Sequence, residues 1–120
     1  MEMMTPLAQE IERYLDLSVL EQKVTAENMA NVDTPGYRAV GMNFEAEMRS
    51  ALADAAEGRT PQPARIQLED GLIARPDGNN VSMDRESLNL AEAQLKFKTG
   101  VALLKQQYQM TMDAIHADKS

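Results

Sequence analysis

The sequence predicts an all-α protein in which two long terminal amphipathic helices pair as a coiled-coil-like antiparallel hairpin, joined by a connector. Apolar residues recur at steps of three and four near both ends of the chain, whereas the middle is rich in proline and turn residues. Aromatic residues make up only 4% and nine residues are Met, so the interior is built from flexible side chains. A chain of 120 residues has room for one domain, 1–120, with an N-terminal helix over 5–31, a turn and connector over 32–81 and a C-terminal helix over 82–117.

The N-terminal helix begins at Thr5-Pro6, because the threonine hydroxyl can cap the helix and proline suits the first helical position. Charged residues mostly face away from one apolar stripe. The stripe consists of Leu7, Ile11, Tyr14, Leu17, Leu20 and Val24. This spacing predicts a helix that packs along a single seam.

The C-terminal segment carries the longest periodic pattern, a heptad seam with unbroken steps of four and three. The seam consists of Leu90, Gln94, Phe97, Val101, Leu104, Tyr108, Thr111 and Ile115. A second row, Leu88, Ala91, Leu95 and Ala102, broadens the apolar face. Ser82 or Asp84 can cap the start of this helix. At ~1.5 Å per residue it is roughly 50 Å long, too long for a compact globule, so neighbouring subunits are expected to cover its outer face.

The connector is predicted to contain one short helix. Asn43 can cap it, and apolar residues repeat from Phe44 to Ala55 before Gly58. The following stretch contains Pro61, Pro63 and Pro76. Its alternating residues 66–73, around the turn at 70–71, fit either a small β-hairpin or an extended loop.

Charge and composition exclude several classes of function. The net charge of −7, with 11 acidic and 5 basic residues in the first half, argues against nucleic-acid binding. No apolar run is long enough to cross a membrane, so no direct membrane insertion is expected, and the N-terminus does not resemble a secretory signal. If the protein leaves the cytoplasm, another export route carries it.

No catalytic, cofactor or metal site is predicted. The chain has no cysteine, and its one histidine, His116, lies near the end of the last helix, where it is expected to act only as a helix-end charge. The segment from Asp77 resembles a calcium loop but has Ser82 where that loop requires glycine and Leu88 where it requires glutamate. We therefore expect a turn that leads into a capped helix, and not an enzyme.

The stretch "AENMANVDTPGYRA", residues 26–39, ends the first helix with two asparagines and a turn. Pro35-Gly36 suits the centre of a type II turn, which swings the chain away. Asn28 and Asn31 have two interpretations. They either satisfy the last carbonyls of their own helix, or they lie on the apolar seam and fix one register of helix pairing.

These residues resemble a signature of the axial (rod and hook) proteins of the bacterial flagellum. The matching motif residues are Asn28, Ala30, Asn31, Thr34, Pro35, Gly36 and Tyr37. The C-terminal heptad helix is similar to the helix that pairs with the N-terminal one in that family. The shortness of the chain, Asp33 before Thr-Pro and the segment 77–108 look most like the proximal rod members.

The resemblance implies a non-enzymatic structural subunit of the basal-body rod, which crosses the periplasm and transmits torque. The implied partners are copies of the chain, other rod subunits, the rotor-ring or export-gate adaptor at the rod base and the flagellar type III export apparatus. Export without a cleavable signal peptide and helical stacking, with the terminal helices inward, are implied as well. Two alternatives stay open: the sister proximal rod subunit, and a soluble helical adaptor or chaperone.

Overall fold

The computed structural model of the protein describes residues 5–118 and contains three helices and one very short sheet. The helices are α1, Pro6–Ala30; α2, Phe44–Ala56; and α3, Met83–Asp118. The strands are β1, Val40–Gly41, and β2, Gln67–Leu68. The described part of the chain measures 70 × 28 × 20 Å. Helices α1 and α3 pack against each other, and this confirms the predicted all-α fold with two long terminal helices.

Helix α1 begins where the sequence predicts. The Thr5 hydroxyl accepts a hydrogen bond from the Ala8 amide at 3.0 Å, and Pro6 takes the first helical position. The Asn31 amide closes the last turn by donating to the Asn28 carbonyl. Local rules of capping thus account for both ends of this helix.

Helices α1 and α3 run antiparallel. Asn28 contacts Glu86 near one end of the pair, Glu21 contacts Lys96 in the middle, and Leu15 lies over Gly100 further along. Helix α3 has 36 residues and α1 has 25, so α3 is about 16 Å longer. The C-terminal part of α3 therefore extends beyond the described start of α1.

Helix α2 confirms the predicted short helix, and its first residue connects it to both long helices. The Asn43 side chain accepts from the Ala46 amide at 3.0 Å and caps it. The ring of Phe44 meets Tyr14 edge to face, with centroids 5.2 Å apart. The Lys96 ammonium lies over the same Phe44 ring, 4.0 Å from the ring centroid. It also lies 3.0 Å from the Glu21 carboxylate. Aromatic, cation–π and ionic contacts thus meet where the three helices approach.

The strand in the connector pairs with a partner that sequence patterning does not indicate. Strand β2 is antiparallel to β1, with Leu68 opposite Val40. Residues 72–73, which would complete a local hairpin with 66–68, form no strand. The Glu69 amide also donates to the Ala39 carbonyl at 2.9 Å, so the connector is fastened to the segment just after the motif turn.

Candidate assembly site

The motif turn has the geometry expected of its Pro-Gly pair. The Tyr37 amide donates to the Thr34 carbonyl at 3.2 Å, and Gly36 has a φ of +77°. A positive φ at the third turn residue, together with proline at the second, is typical of a type II turn. Thr34 and Pro35 are exposed, and Ala30 is exposed at the end of α1. The turn therefore presents its tip to solvent and its backbone to the protein.

The backbone of this turn is held by a second segment, residues 75–82, which leads into α3. The Gly36 amide donates to the Asp77 carbonyl at 2.9 Å. The Asn79 side chain is fully buried and donates to the carbonyls of both Asn31 and Thr34 at 2.8 Å. Two segments more than forty residues apart in sequence are thus joined by hydrogen bonds that pair backbone groups of the motif turn.

Asn80 continues this attachment on the other side of the turn. Its amide donates to the Tyr37 carbonyl at 3.2 Å, and its side-chain oxygen accepts from the Ala39 amide at 2.6 Å. Asn80 is 3% exposed, so its side chain lies in the protein interior. Asn80-Val81-Ser82 matches the N-glycosylation sequon, but the buried Asn80 side chain is not available for modification in this fold, and its role is structural.

Two glycines allow the two segments to approach closely. Gly78 has a φ of +87°, and a Cβ atom placed on it would lie 3.3 Å from the Gly36 Cα. Both positions need the left-handed backbone region that favours glycine. The Asp77-Gly78 and Pro35-Gly36 turns thus fit against each other back to back.

Asn28 lies at the centre of this region and uses every polar atom of its amide. Its nitrogen donates to the Val40 carbonyl at 2.8 Å and to both Glu86 carboxylate oxygens at 3.1 Å. Its oxygen accepts from the Val40 amide at 3.0 Å and from the Tyr37 hydroxyl at 3.3 Å. Asn28 is 1% exposed. One amide thus joins α1, the segment after the turn and the first turn of α3.

We call the group formed by Asn28, Asn31, Tyr37, Asn79, Asn80 and Glu86 the polar joint. Glu86 is its charged member, 1% exposed and on the first turn of α3. Burial raises the pKa of Glu86 above its ordinary value, and the nearby Glu69 raises it further, while the hydrogen bond from Asn28 and the charge of Arg85 lower it. The pKa of Tyr37 is also raised, by burial and by the charges of Glu27 and Glu86.

Asn31 behaves differently from Asn28, although both belong to the same motif. Its side-chain nitrogen donates to the Glu27 carbonyl of its own helix at 2.9 Å, and its oxygen accepts from the Thr34 hydroxyl at 3.0 Å. Within the described chain the Asn31 side chain therefore fits the helix-ending interpretation, whereas Asn28 contacts the pairing helix as the register interpretation requires.

Arg75 is a residue of this site that sequence reasoning missed. Its guanidinium donates to the Val81 carbonyl at 2.9 Å and to the Val32 carbonyl, and its amide donates to the Asn79 carbonyl at 2.8 Å. Arg75 thus connects both segments of the joint. Its signal in the sequence, an arginine before Pro-Asp-Gly-Asn-Asn, was indistinguishable from that of a solvated turn.

Most of the predicted seam residues lie on or beside the helix interface, whereas Ile115 lies in the part of α3 that extends beyond the described start of α1. On α1, Ile11 and Val24 are buried, Tyr14 and Leu20 are half-buried and Leu7 is exposed. On α3, the half-buried seam residues are Leu90, Val101, Leu104, Thr111 and Ile115, and the exposed ones are Gln94, Phe97 and Tyr108. The seam residues of α3 thus flank the contact with α1 more than they fill it.

The buried heptad of α3 is a different one, formed by Glu86, Ala93 and Gly100. Glu86 meets Asn28, Ala93 is fully buried, and Gly100 lies under Leu15. A Cβ atom on Gly100 would be 2.6 Å from the Leu15 Cδ2 atom and 3.2 Å from the Tyr14 Cδ1 atom. Small residues thus let the helices approach closely. Their seven-residue spacing was the available signal, but an apolarity pattern passes over glycine, alanine and glutamate.

Other kinds of site have no support within residues 5–118. This part of the chain contains no group of three or more His, Cys, Asp or Glu side chains placed to hold a metal ion. No helix in it is long and apolar enough to cross a membrane. His116 lies exposed in the last turn of α3.

Comparison with known proteins matches this region to one family. A family model described as "Flagella basal body rod protein" matches residues 20–38, which span the last turns of α1 and the motif turn. The chain is 30% identical over 121 residues to the flagellar basal body rod protein FlgB of Escherichia coli (strain K12), covering 86% of this chain and 88% of that protein. The chain belongs to the FlgB family of flagellar basal body rod proteins.

Further FlgB proteins show similar relationships. The chain is 33% identical to FlgB of Borrelia hermsii over 103 residues, covering 69% of this chain and 76% of that protein. It is 30% identical to FlgB of Salmonella typhimurium over 119 residues, covering 84% and 86%. The resemblance indicated by the motif residues is thus confirmed. Since FlgB proteins are named as rod components, the expectation of a non-enzymatic protein is confirmed as well.

Proposed function

We propose that the chain is a structural subunit of the proximal rod of the flagellar basal body, where it assembles helically and transmits torque across the periplasm. The observation that carries this proposal is the polar joint. The turn matched by the rod-protein family model is fastened to the start of α3 by hydrogen bonds that involve the buried side chains of Asn28, Asn79 and Asn80. A subunit that transmits torque needs such a rigid connection between its two terminal helices.

The exposed apolar residues of α3 support assembly with other subunits. Leu88, Leu95 and Met110 are each more than half exposed. Exposed large apolar side chains along one long helix are typical of a surface that another protein covers. We propose that copies of the chain and other rod subunits cover it. The adaptor at the rod base is proposed as a further partner.

The proposed location is the periplasmic rod, reached through the flagellar type III export apparatus without cleavage of a signal peptide. Export through this apparatus predicts that the exported and cytoplasmic chains have the same N-terminus. N-terminal sequencing of the chain from purified basal bodies tests this directly. A shortened N-terminus there would contradict the proposed route.

Complementation tests the proposed role. A strain whose own FlgB gene is deleted receives the full chain or a variant lacking residues 1–15, and motility and purified basal bodies are compared. We expect the full chain to restore rods and the shortened chain to be absent from them, because it has lost the first turns of α1. Unaffected motility with the shortened chain would contradict an axial role and favour a soluble adaptor or chaperone. Cryo-electron microscopy of the rod separates this position from that of the sister proximal subunit.

A further inference from the structure

The described chain carries two exposed rows that face away from the helix interface. The outer row of α3 lies opposite its buried heptad and has steps of three and four. It consists of Leu88, Ala91, Leu95, Lys98, Ala102, Lys105 and Gln109, all exposed. Leu88 and Leu95 are 60% and 66% exposed. The two charged residues of this row, Lys98 and Lys105, are both positive.

The outer row of α1 has the same spacing. It consists of Gln9, Glu12, Asp16, Val19, Lys23, Ala26 and Ala30, and all are exposed. Gln9, Glu12 and Asp16 line one wall of an open groove between α1 and α2, with a volume of about 820 Å³. The charged residues at this end of the row, Glu12 and Asp16, are both negative and exposed, although Arg13 and Arg59 also line the groove.

Residues of the two rows lie at corresponding positions along the axis of the helix pair. Within the chain, residue 28 faces residue 86 and residue 14 faces residue 100, so each step forward along α1 is one step back along α3. On this scale Asp16 is level with Lys98, Val19 with Leu95, and Ala26 with Leu88. Opposite charges and apolar side chains thus lie at equal heights on opposite sides of one subunit.

We infer that a second copy of the chain packs beside the first with an axial shift of less than one helical turn, about 5 Å. The outer row of α3 of the second copy lies on the outer row of α1 of the first. Asp16 of one copy then meets Lys98 of the next, and Val19 meets Leu95. This contact rests on the proposed function and specifies one of its interfaces. It is heterologous, so it repeats from copy to copy and builds a ring or a helical array.

Charge distinguishes this arrangement from a two-fold dimer formed through the outer rows of α3. Two α3 outer rows packed against each other bring Lys98 and Lys105 of both copies into one interface, and the row has no acidic residue to pair with them. Like charges at close range oppose association, whereas the α1-to-α3 contact pairs opposite charges. The structure therefore favours the repeating contact.

Cysteine crosslinking tests the register. The chain has no cysteine, so the variants Val19→Cys, Ala26→Cys, Leu88→Cys and Leu95→Cys each carry one thiol. Pairs of variants are co-expressed in the FlgB-deletion strain, and isolated basal bodies are oxidised. We expect disulfide dimers for 19 with 95 and for 26 with 88. The offset pairs, 19 with 88 and 26 with 95, are shifted by about 10 Å, too far for a disulfide.

The outcomes separate this inference from the proposed function. At least about tenfold more dimer in the level pairs than in the offset pairs supports the contact. Equal yields, or no dimer although the variants restore motility and are present in basal bodies, would overturn it and leave the rod function intact. If the unmodified chain is itself absent from basal bodies, the proposed function fails, and this inference fails with it.

A charge exchange provides a second, independent measurement. Asp16→Lys and Lys98→Asp are each expected to reduce incorporation into basal bodies roughly tenfold, and the two changes together in one chain are expected to restore it. Arg49→Glu is the matched control, because Arg49 is exposed on α2 and belongs to neither row. Failure of the double variant to recover, with both single variants folded, would contradict the pairing of these residues.

Discussion

Replacement of Asn28 by alanine tests whether the polar joint stabilises the fold. The change removes the acceptor of the Val40 amide, at 3.0 Å, and the donor to the Glu86 carboxylate, at 3.1 Å. Each buried polar group left without a partner costs about 1–3 kcal/mol. Since Asn28 and Glu86 are each 1% exposed, water cannot replace the lost bonds. We expect the free energy of unfolding to fall by about 4 kcal/mol.

Asn31→Ala is the matched control, the same substitution three residues further along the motif. Asn31 donates to the Glu27 carbonyl and accepts from Thr34 near the surface, so solvent replaces most of what is lost. We expect a cost of about 1 kcal/mol.

Urea unfolding followed by far-ultraviolet circular dichroism measures both variants against the unmodified chain. Equal losses in the two variants, or a loss below 1 kcal/mol for Asn28→Ala, would refute the role assigned to the buried amide.

Three further tests each address one feature of the structure. Because the pKa of Glu86 is raised in the fold, the folded chain binds this proton more firmly than the unfolded chain just above the ordinary pKa of 4.5. The contribution of Glu86 to stability is therefore fully present below the ordinary pKa and is lost as the pH rises through the folded pKa, by at most about 1.4 kcal/mol per pH unit. Urea titrations between pH 4 and 8 should show this slope flattened in Glu86→Gln, and parallel curves would exclude the effect. Gly100→Leu should lower the free energy of unfolding by about 3 kcal/mol, since even a Cβ atom at this position would lie 2.6 Å from Leu15. Thr99→Leu, on the exposed side of α3, is the control and should be nearly neutral. Similar melting temperatures for the two variants would contradict the close approach of the helices. Gly36→Ala should lower the free energy of unfolding by about 1 kcal/mol through backbone strain alone, because nothing lies within 4 Å of the new Cβ atom. Gly78→Ala should cost more, since its Cβ atom would also contact Gly36. The reverse order would show that the two turns do not approach as described.

Most of the fold could be predicted because helices and their caps depend on neighbouring residues. Thr5, Pro6 and Asn43 lie at helix starts, and the Pro35-Gly36 turn has its positive φ, as local rules require. The candidate site was only partly predictable. Asn28 and Tyr37 were identified by their resemblance to the family motif. Their partners Glu86 and Asn80 lie in a segment far away in sequence, for which the residues predicted only a turn and the start of a helix.

The sequence by itself determined the three helices, their ends, the motif turn and membership of the rod-protein family, since these depend on spacing and on residues close in the chain. The tertiary structure alone decided which face of α3 meets α1, because a heptad of Glu86, Ala93 and Gly100 packs through small volume and a hydrogen bond, neither of which an apolarity pattern records. It also decided that β2 pairs with β1 and that Asn28, unlike Asn31, is buried against Glu86. These pairings depend on contacts between segments far apart in sequence, and only the folded chain brings those segments together.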